Sequence, residues 1–261
     1  MDHADAAVDG LTVAGEGRDA LAGISFTIHR GEIVGIAGVE GNGQAELVGA
    51  VLGTVKARGG TIVLDGADIS TVDVRGRRAA GIGYIPEDRH RDGLLLLSSL
   101  WENTILGHQS SPVNVRGPWI NRAGARARTE QIVADFDVRT PSIDVAAIAL
   151  SGGNQQKLVV GREVAAQPKV LIASHPTRGI DVGAQARVWD ELREARSAGL
   201  ATLLISADLE ELIGLSDTVL VMLRGRIVAK LDPAKVSAPE LGEYMTGARA
   251  AQATTTAAGT P

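Results

Sequence analysis

Short apolar runs bounded by glycines or charges alternate in this chain with stretches whose apolar residues recur every three or four positions. "GISFTI" (23–28), "EIVGIAG" (32–38), "GTIVLDG" (60–66) and "GIGYIP" (81–86) are short, rich in β-branched residues and sharply bounded, which predicts strands. After the second of these, "QAELVGAVLG" (44–53) places Leu47, Val48, Val51 and Leu52 at helical spacing and stops at Gly53, predicting a helix. From about 94 to 150 the pattern is more helical and less regular, with "NRAGARARTEQIVADF" (121–136) inside it. Alternation then returns: strand 169–174, helix 183–198, strand 201–206, helix 207–214 and strands 218–223 and 225–230. That order predicts an α/β fold with a mainly parallel sheet and helices on both faces. The small, polar stretch 247–261 predicts a disordered tail.

Composition narrows the function classes. The 261 residues are 44% apolar and 22% charged, ordinary values for a globular chain with a well-buried core. A net charge of −5 argues against a nucleic-acid partner held by bulk electrostatics. Two Phe, two Tyr and three Trp leave little material for base stacking. Without cysteine there is no disulfide or thiolate chemistry, which fits a cytosolic setting, and the five histidines lack metal-ligand spacing. No apolar run approaches the ~18 residues needed to cross a bilayer. No signal peptide opens the chain, so the expectation is a soluble protein whose membrane role needs a partner.

Two stretches carry candidate chemistry. "GVEGNGQAE" (38–46) lies between a predicted buried strand and a helix, the context of a phosphate-binding loop with consensus G-x-x-x-x-G-K-[ST]. Gly38 and Gly43 are correctly spaced, but Gln44 stands at the lysine position and Ala45 at the hydroxyl position. The amides from Gly41 through Asn42 to Gly43, with the helix N-terminus behind them, still make an anion nest. In "LSGGNQQK" (150–157), Ser151 can cap a helix whose first amides, at Gly152 and Gly153, point at an anion. A plain N-capped helix explains the serine. It does not explain consecutive glycines, which cost ~0.5–1 kcal/mol each in a helix.

"LSGGNQQK" followed by "PTRGIDVGA" (176–184), after the phosphate loop and "YIPED", resembles an ABC-transporter nucleotide-binding domain. The likeness runs from about Val8 to Met245. "YIPEDRHRDGLLL" (84–96) and "FDVRTPS" (136–142) resemble the C-terminal cassette of the double-cassette ATPases that serve nucleoside or simple-sugar importers. The resemblance implies a P-loop NTPase core (1–87 and 151–246) with an antiparallel β edge from the N-terminal strands. It also implies an inserted helical subdomain (88–150), ATP as ligand and head-to-tail pairing with an intact cassette. Transmembrane permease subunits would hold the pair at the cytoplasmic face of the membrane, with an extracytoplasmic substrate-binding protein acting indirectly.

Carried over position by position, the resemblance leaves most chemical residues missing. Gln44 removes a charge-assisted phosphate contact of ~1.5–3 kcal/mol. Ala45 removes the magnesium hydroxyl, and Glu46 adds negative charge nearby. Ser174 stands for the second metal-associated carboxylate, His175 for the glutamate that polarises water, and Ala207 for the switch histidine, followed by Asp208. Glu87 stands for the glutamine that senses the γ-phosphate, and no aromatic near 11–13 could stack on adenine. Phosphoryl transfer depends on positioned cations, so the expectation is a home site with magnesium weak or absent and no efficient turnover. The segment offered to a partner, Ser151, Gly152, Gly153, Asn154 and Gln155, matches the family pattern, as does Asp181 at the dimer interface. Competing readings are a self-sufficient homodimeric ATPase using His175 as base, a non-transport ABC protein and a decayed fragment. The charged turn 88–93 reads either as permease coupling or as a solvated turn, and Trp119 as a possible partner contact.

Overall fold

The computed structural model describes residues 5–248. From 249 onward the expected disordered tail lies outside the described residues. Two sheets carry the architecture. A four-stranded antiparallel sheet has the order β2-β1-β4-β5, built from β1 (Ala6–Ala14), β2 (Asp19–Ile28), β4 (Gly59–Leu64) and β5 (Ala67–Asp68). A six-stranded sheet has the order β12-β11-β3-β10-β9-β6. Its parallel members are β3 (Ile33–Ala37), β6 (Ile82–Ile85), β9 (Val170–Ser174), β10 (Ala201–Ser206) and β11 (Thr218–Leu223). β12 (Arg226–Leu231) closes one edge as an antiparallel hairpin with β11.

Every residue of β3, β9 and β10 is buried, as expected for parallel strands covered on both faces. Their side chains alternate between two cores. Ile33, Ala37, Leu171, Ala173 and Leu204 join one cluster with α5 (Gly152–Ala165), α6 (Val182–Ser197), α7 (Leu209–Leu215) and α8 (Ala238–Thr246). Val34, Ile36, Val170, Ile172, Leu203 and Ile205 face the antiparallel sheet and α1 (Gln44–Leu52). The hydrophobic run marks each strand, but only the sheet divides it between layers.

The segment between β6 and α5 is helical as expected, with additions. A π-helical turn, Arg89–Gly93, leads to α3 (Leu100–Ile105), whose start is fixed by a capping box between Ser99 and Glu102. A short hairpin, β7 (Val115–Arg116) with β8 (Trp119–Ile120), precedes α4 (Arg122–Asp135). The hairpin leaves Trp119 76% exposed, whereas Trp101 is buried. Ile132 and Phe136 enter the same core as Leu158 of α5, so the helical segment packs onto the main body. Two further helices are additions: α2 (Val74–Ala80) buries Arg77 and so shows no apolar stripe, and α8 buries only Leu241 and Met245. The full length of β1 was missed too; its alternation is broken by register shifts against β2 between Val8 and Thr12. Among the described residues, no helix is long and apolar enough to cross a membrane.

Candidate functional site

Parallel strands present their carboxyl ends on one side of a sheet, where loops collect around a crevice. Here the turns after β3, β6, β9 and β10 meet in a cleft of 420 Å³. The turn after β3 is the glycine loop. Gly38 is buried where a Cβ would stand 2.8 Å from the Met222 carbonyl oxygen, so the loop needs a residue without one. Gly41 and Gly43 take positive φ angles of 86° and 111°. Gly43 caps α1 without a side-chain bond, so the first amides of α1, at Gln44, Ala45 and Glu46, lack intrahelical acceptors.

Gln44 bends back into its own loop. Its Nε2 donates to the Val39 carbonyl at 3.2 Å, and its Oε1 accepts the Asn42 amide at 3.1 Å. Asn42 is engaged further: Oδ1 accepts the Arg224 amide at 2.9 Å, and its carbonyl accepts the Gly225 amide at 2.8 Å. One donor of the expected nest therefore has an internal acceptor. A lysine could not accept that amide, because an ammonium group has donors only.

The other walls are acidic. Glu40, Glu87, Asp208 and Glu211 line the cleft, against Arg178 and His175. Arg178 is paired with Glu87. Ala45 and Ala207 present methyl groups to the cleft, and Ser174 is buried beneath the neighbouring space. Among the described residues, no group of three His, Cys, Asp or Glu is placed to hold a metal ion.

His175 follows β9 with φ 46°, a left-handed conformation in which histidine is among the commoner non-glycine residues. Its amide donates to the Ile205 carbonyl at 2.7 Å. Burial lowers the imidazole pKa, opposed by the charges of Glu211 and Glu40, which favours the neutral ring. Glu211, only 1% exposed, was not singled out in the sequence. Its Oε1 accepts Thr177 Oγ1 at 2.8 Å and Trp189 Nε1 at 3.0 Å, while Oε2 is buried without a partner. Asp208 caps α7, accepting the Glu210 and Glu211 amides at 2.9 and 3.2 Å.

The signature segment, residues 151–155, which the resemblance offers to a partner, lines neither this cleft nor the space beside it. Ser151 caps α5: its Oγ accepts the Asn154 amide at 3.4 Å and Asn154 Nδ2 at 3.0 Å. Asp181 caps α6 through the Ala184 amide at 3.0 Å. The two helix starts touch, because a Cβ at Gly153 would lie 2.8 Å from the Ala184 Cβ and 3.5 Å from Asp181 Oδ2. Gly153 thus has a packing reason inside the chain, beside any approach of a phosphate. Gln155 is buried, with Nε2 donating to the Ala147 carbonyl at 3.0 Å.

A buried ionic cluster ties the far end of α5 to α2, β6 and the helical segment. Glu163, near the end of α5, accepts Arg78 Nη2 at 2.9 Å and the Tyr84 amide at 3.1 Å on Oε2, and Arg162 Nε at 2.9 Å on Oε1. Arg162 Nη1 reaches the Gly93 and Asn103 carbonyls at 2.8 and 3.2 Å. Burial pushes the Glu163 pKa up; the hydrogen bond with His108, then the charges of Arg162, Arg78 and His108, overcome it and hold it at about 2.

This fold, with a glycine loop between β3 and α1 and a serine-capped "SGG" start to α5, defines an ATP-binding-cassette architecture. The ABC transporter family model matches residues 21–178, and the chain belongs to that family. It is 44% identical over 243 residues to the guanosine import ATP-binding protein NupO of Bacillus subtilis, covering 92% of this chain and 48% of that one. It is 40% identical to the nucleoside import ATP-binding protein NupA of Lactococcus lactis, covering 87% of this chain and 45% of that one. It is 42% identical to the ribose import ATP-binding protein RbsA 1 of Streptomyces avermitilis, over 86% and 42%. The chain spans about half the length of these curated relatives. A crystallised ATP-binding cassette of an ABC transporter in its ADP conformation superposes with a TM-score of 0.76 over 94% of this chain and 95% of that one. At 21% identity, that match speaks for the fold.

Proposed function

We propose that this chain is an ATP-binding cassette of an importer for nucleosides or simple sugars, whose own site turns over little or no ATP. Its signature segment completes the site of an intact partner cassette. The observation that carries this reading is the Gln44 side chain, which bonds within the phosphate loop where a lysine would offer a cation, inside a cleft lined by four carboxylates. The uncapped first turn of α1 keeps a weak anion site, so nucleotide binding without cleavage is expected at home. Ser151, Gly152, Asn154 and Asp181 face the partner's nucleotide, while Gly153 and Gln155, buried inside the chain, support them from behind. The relatives named for guanosine, nucleoside and ribose import support the transport class. Permease subunits would hold residues 1–246 at the cytoplasmic face as one domain with a helical subdomain at 88–150, an extracytoplasmic substrate-binding protein acting through them.

The test is ATP hydrolysis with Mg²⁺ by the purified chain, alone and mixed with an intact cassette of the same transporter. No turnover alone, with stimulation of the partner that Ser151→Arg removes, is the expected result. Robust turnover alone, abolished by His175→Ala, would replace this reading with a self-sufficient ATPase.

A further inference from the structure

The charged turn 88–93 crosses the gap between the two helix starts that the partner would meet. Asp88 holds the turn in place, its Oδ1 accepting the His90 and Arg91 amides at 3.0 and 3.1 Å. From it, Arg89 reaches three points. Nη1 donates to the Arg178 carbonyl at 3.0 Å, Nη2 to the Gly179 carbonyl at 3.3 Å, and Nε to Gln155 Oε1 at 3.4 Å. His90 Nε2 shares the same Gln155 oxygen at 2.8 Å. Because Gln155 Nε2 is committed to the Ala147 carbonyl, Oε1 faces the turn and both neighbours must donate to it. Gln155 is only 4% exposed, so this anchor is fixed by packing.

Gly152 makes room for the guanidinium: a Cβ there would stand 2.8 Å from Arg89 Nη2. Gly179, at φ 69°, turns its carbonyl to the same group. The carbonyls Arg89 holds lie two and three residues before Asp181, and Gln155 lies four residues after Ser151. A planar fork is suited to holding several acceptors in fixed geometry, whereas a lysine offers a single point charge on a flexible stem.

We infer that Arg89 is a positioning residue, fixing the signature segment 151–155 and the 178–181 turn relative to each other as one surface for the partner cassette's nucleotide. The role rests on the composite-site reading above. Glu87, two residues earlier, pairs with the side chain of the same Arg178 whose carbonyl Arg89 holds. The home cleft and the offered surface are therefore joined through one short segment.

The experiment compares the wild-type chain with Arg89→Ala and Arg89→Lys, each checked by thermal unfolding. It reads amide exchange in 151–155 and 178–181 of the free chain, then ATP turnover of the mixture with the intact cassette. In Arg89→Ala, exchange rises together in both segments and turnover falls about tenfold, the loss expected for charge-assisted hydrogen bonds. Arg89→Lys keeps the charge and the fold but leaves most of that loss in place. Exchange that rises in one segment only, or in neither, overturns the inference, as does full turnover with both segments loosened. A wild-type chain that fails to stimulate the cassette would count against the composite site itself. The exchange data would still decide whether Arg89 holds the two segments together.

Discussion

Two helices, α1 and α5, begin where a nucleotide phosphate could meet backbone amides, and they are built in opposite ways. At α1 the cap is a bare glycine, and the next side chain, Gln44, turns back to satisfy an amide of its own loop. Around it stand Glu40, Glu87, Asp208 and Glu211, with Arg178 paired to Glu87. At α5 the cap is Ser151, and the flanking contacts fix a surface through Asn154, Gln155, Arg89 and Asp181. The comparison teaches that a phosphate loop is backbone and side chain together. Correct glycine spacing preserves the turn, but without a cation the loop finds its acceptors internally and the cleft keeps an acidic balance.

The largest effect is expected outside both regions, in the ionic cluster that ties α5 to α2, β6 and the helical segment. Glu163→Ala leaves Arg162 and Arg78 without their shared carboxylate, and removing one partner of a buried pair typically costs about 3–5 kcal/mol. Denaturant unfolding should show that loss as a change in global stability; a loss under about 1 kcal/mol would mean that the cluster does not hold the fold. The same cluster predicts acid sensitivity. Its pKa is held at about 2, against 4.5 for an unperturbed glutamate, so its contribution is full above pH 4.5 and fades as pH falls toward 2. Wild type should lose stability across that window faster than Glu163→Gln.

Separation of the two helix starts comes next. Ser151→Arg should lower turnover of the mixed pair about a hundredfold, comparable to removing a positioned transition-state donor, while the chain's own nucleotide affinity stays within about twofold. A parallel loss of both would merge the two regions into one site and break the comparison. In the opposite direction, Gln44→Lys with Ala45→Ser should tighten MgATP binding about ten- to a hundredfold, following the ~1.5–3 kcal/mol of a charge-assisted contact. Equilibrium titration reads it; unchanged affinity would assign the defect to the acidic walls. The smallest effect is the least intuitive. Gln44→Ala removes one of the two acceptors of the Asn42 amide, leaving the Val39 carbonyl at 3.3 Å, and should raise nucleotide affinity no more than about twofold, below the ~0.5–1.5 kcal/mol of one full neutral hydrogen bond. A fall would mean that Gln44 itself holds phosphate.

Much of the architecture was legible in the sequence because its signals have local causes. Gly38 and Gly43 mark a loop that no residue with a side chain at 38 could follow past Met222. Ser151 caps a helix as its position before "GG" implies, and the apolar runs become β3, β9 and β10. Less legible were α2, which turns an arginine rather than an apolar stripe inward, α8, which buries only Leu241 and Met245, and β1, whose alternation is interrupted by register shifts.

The residues at 44, 45, 174, 175 and 207 could be read from the chain alone, since each is an identity at a position along it. What those side chains touch could not. Glu87 meets Arg178 across 91 positions, Arg89 meets Gly179 across 90, and Glu211 meets Thr177 across 34. These contacts exist because neighbouring parallel strands, β6 beside β9 and β9 beside β10, bring their carboxyl-end turns to one edge of the sheet. Sequence determined the loop, the caps and the missing cation. Strand order, a global property of the fold, decided which charges would surround the gap and which arginine would span it.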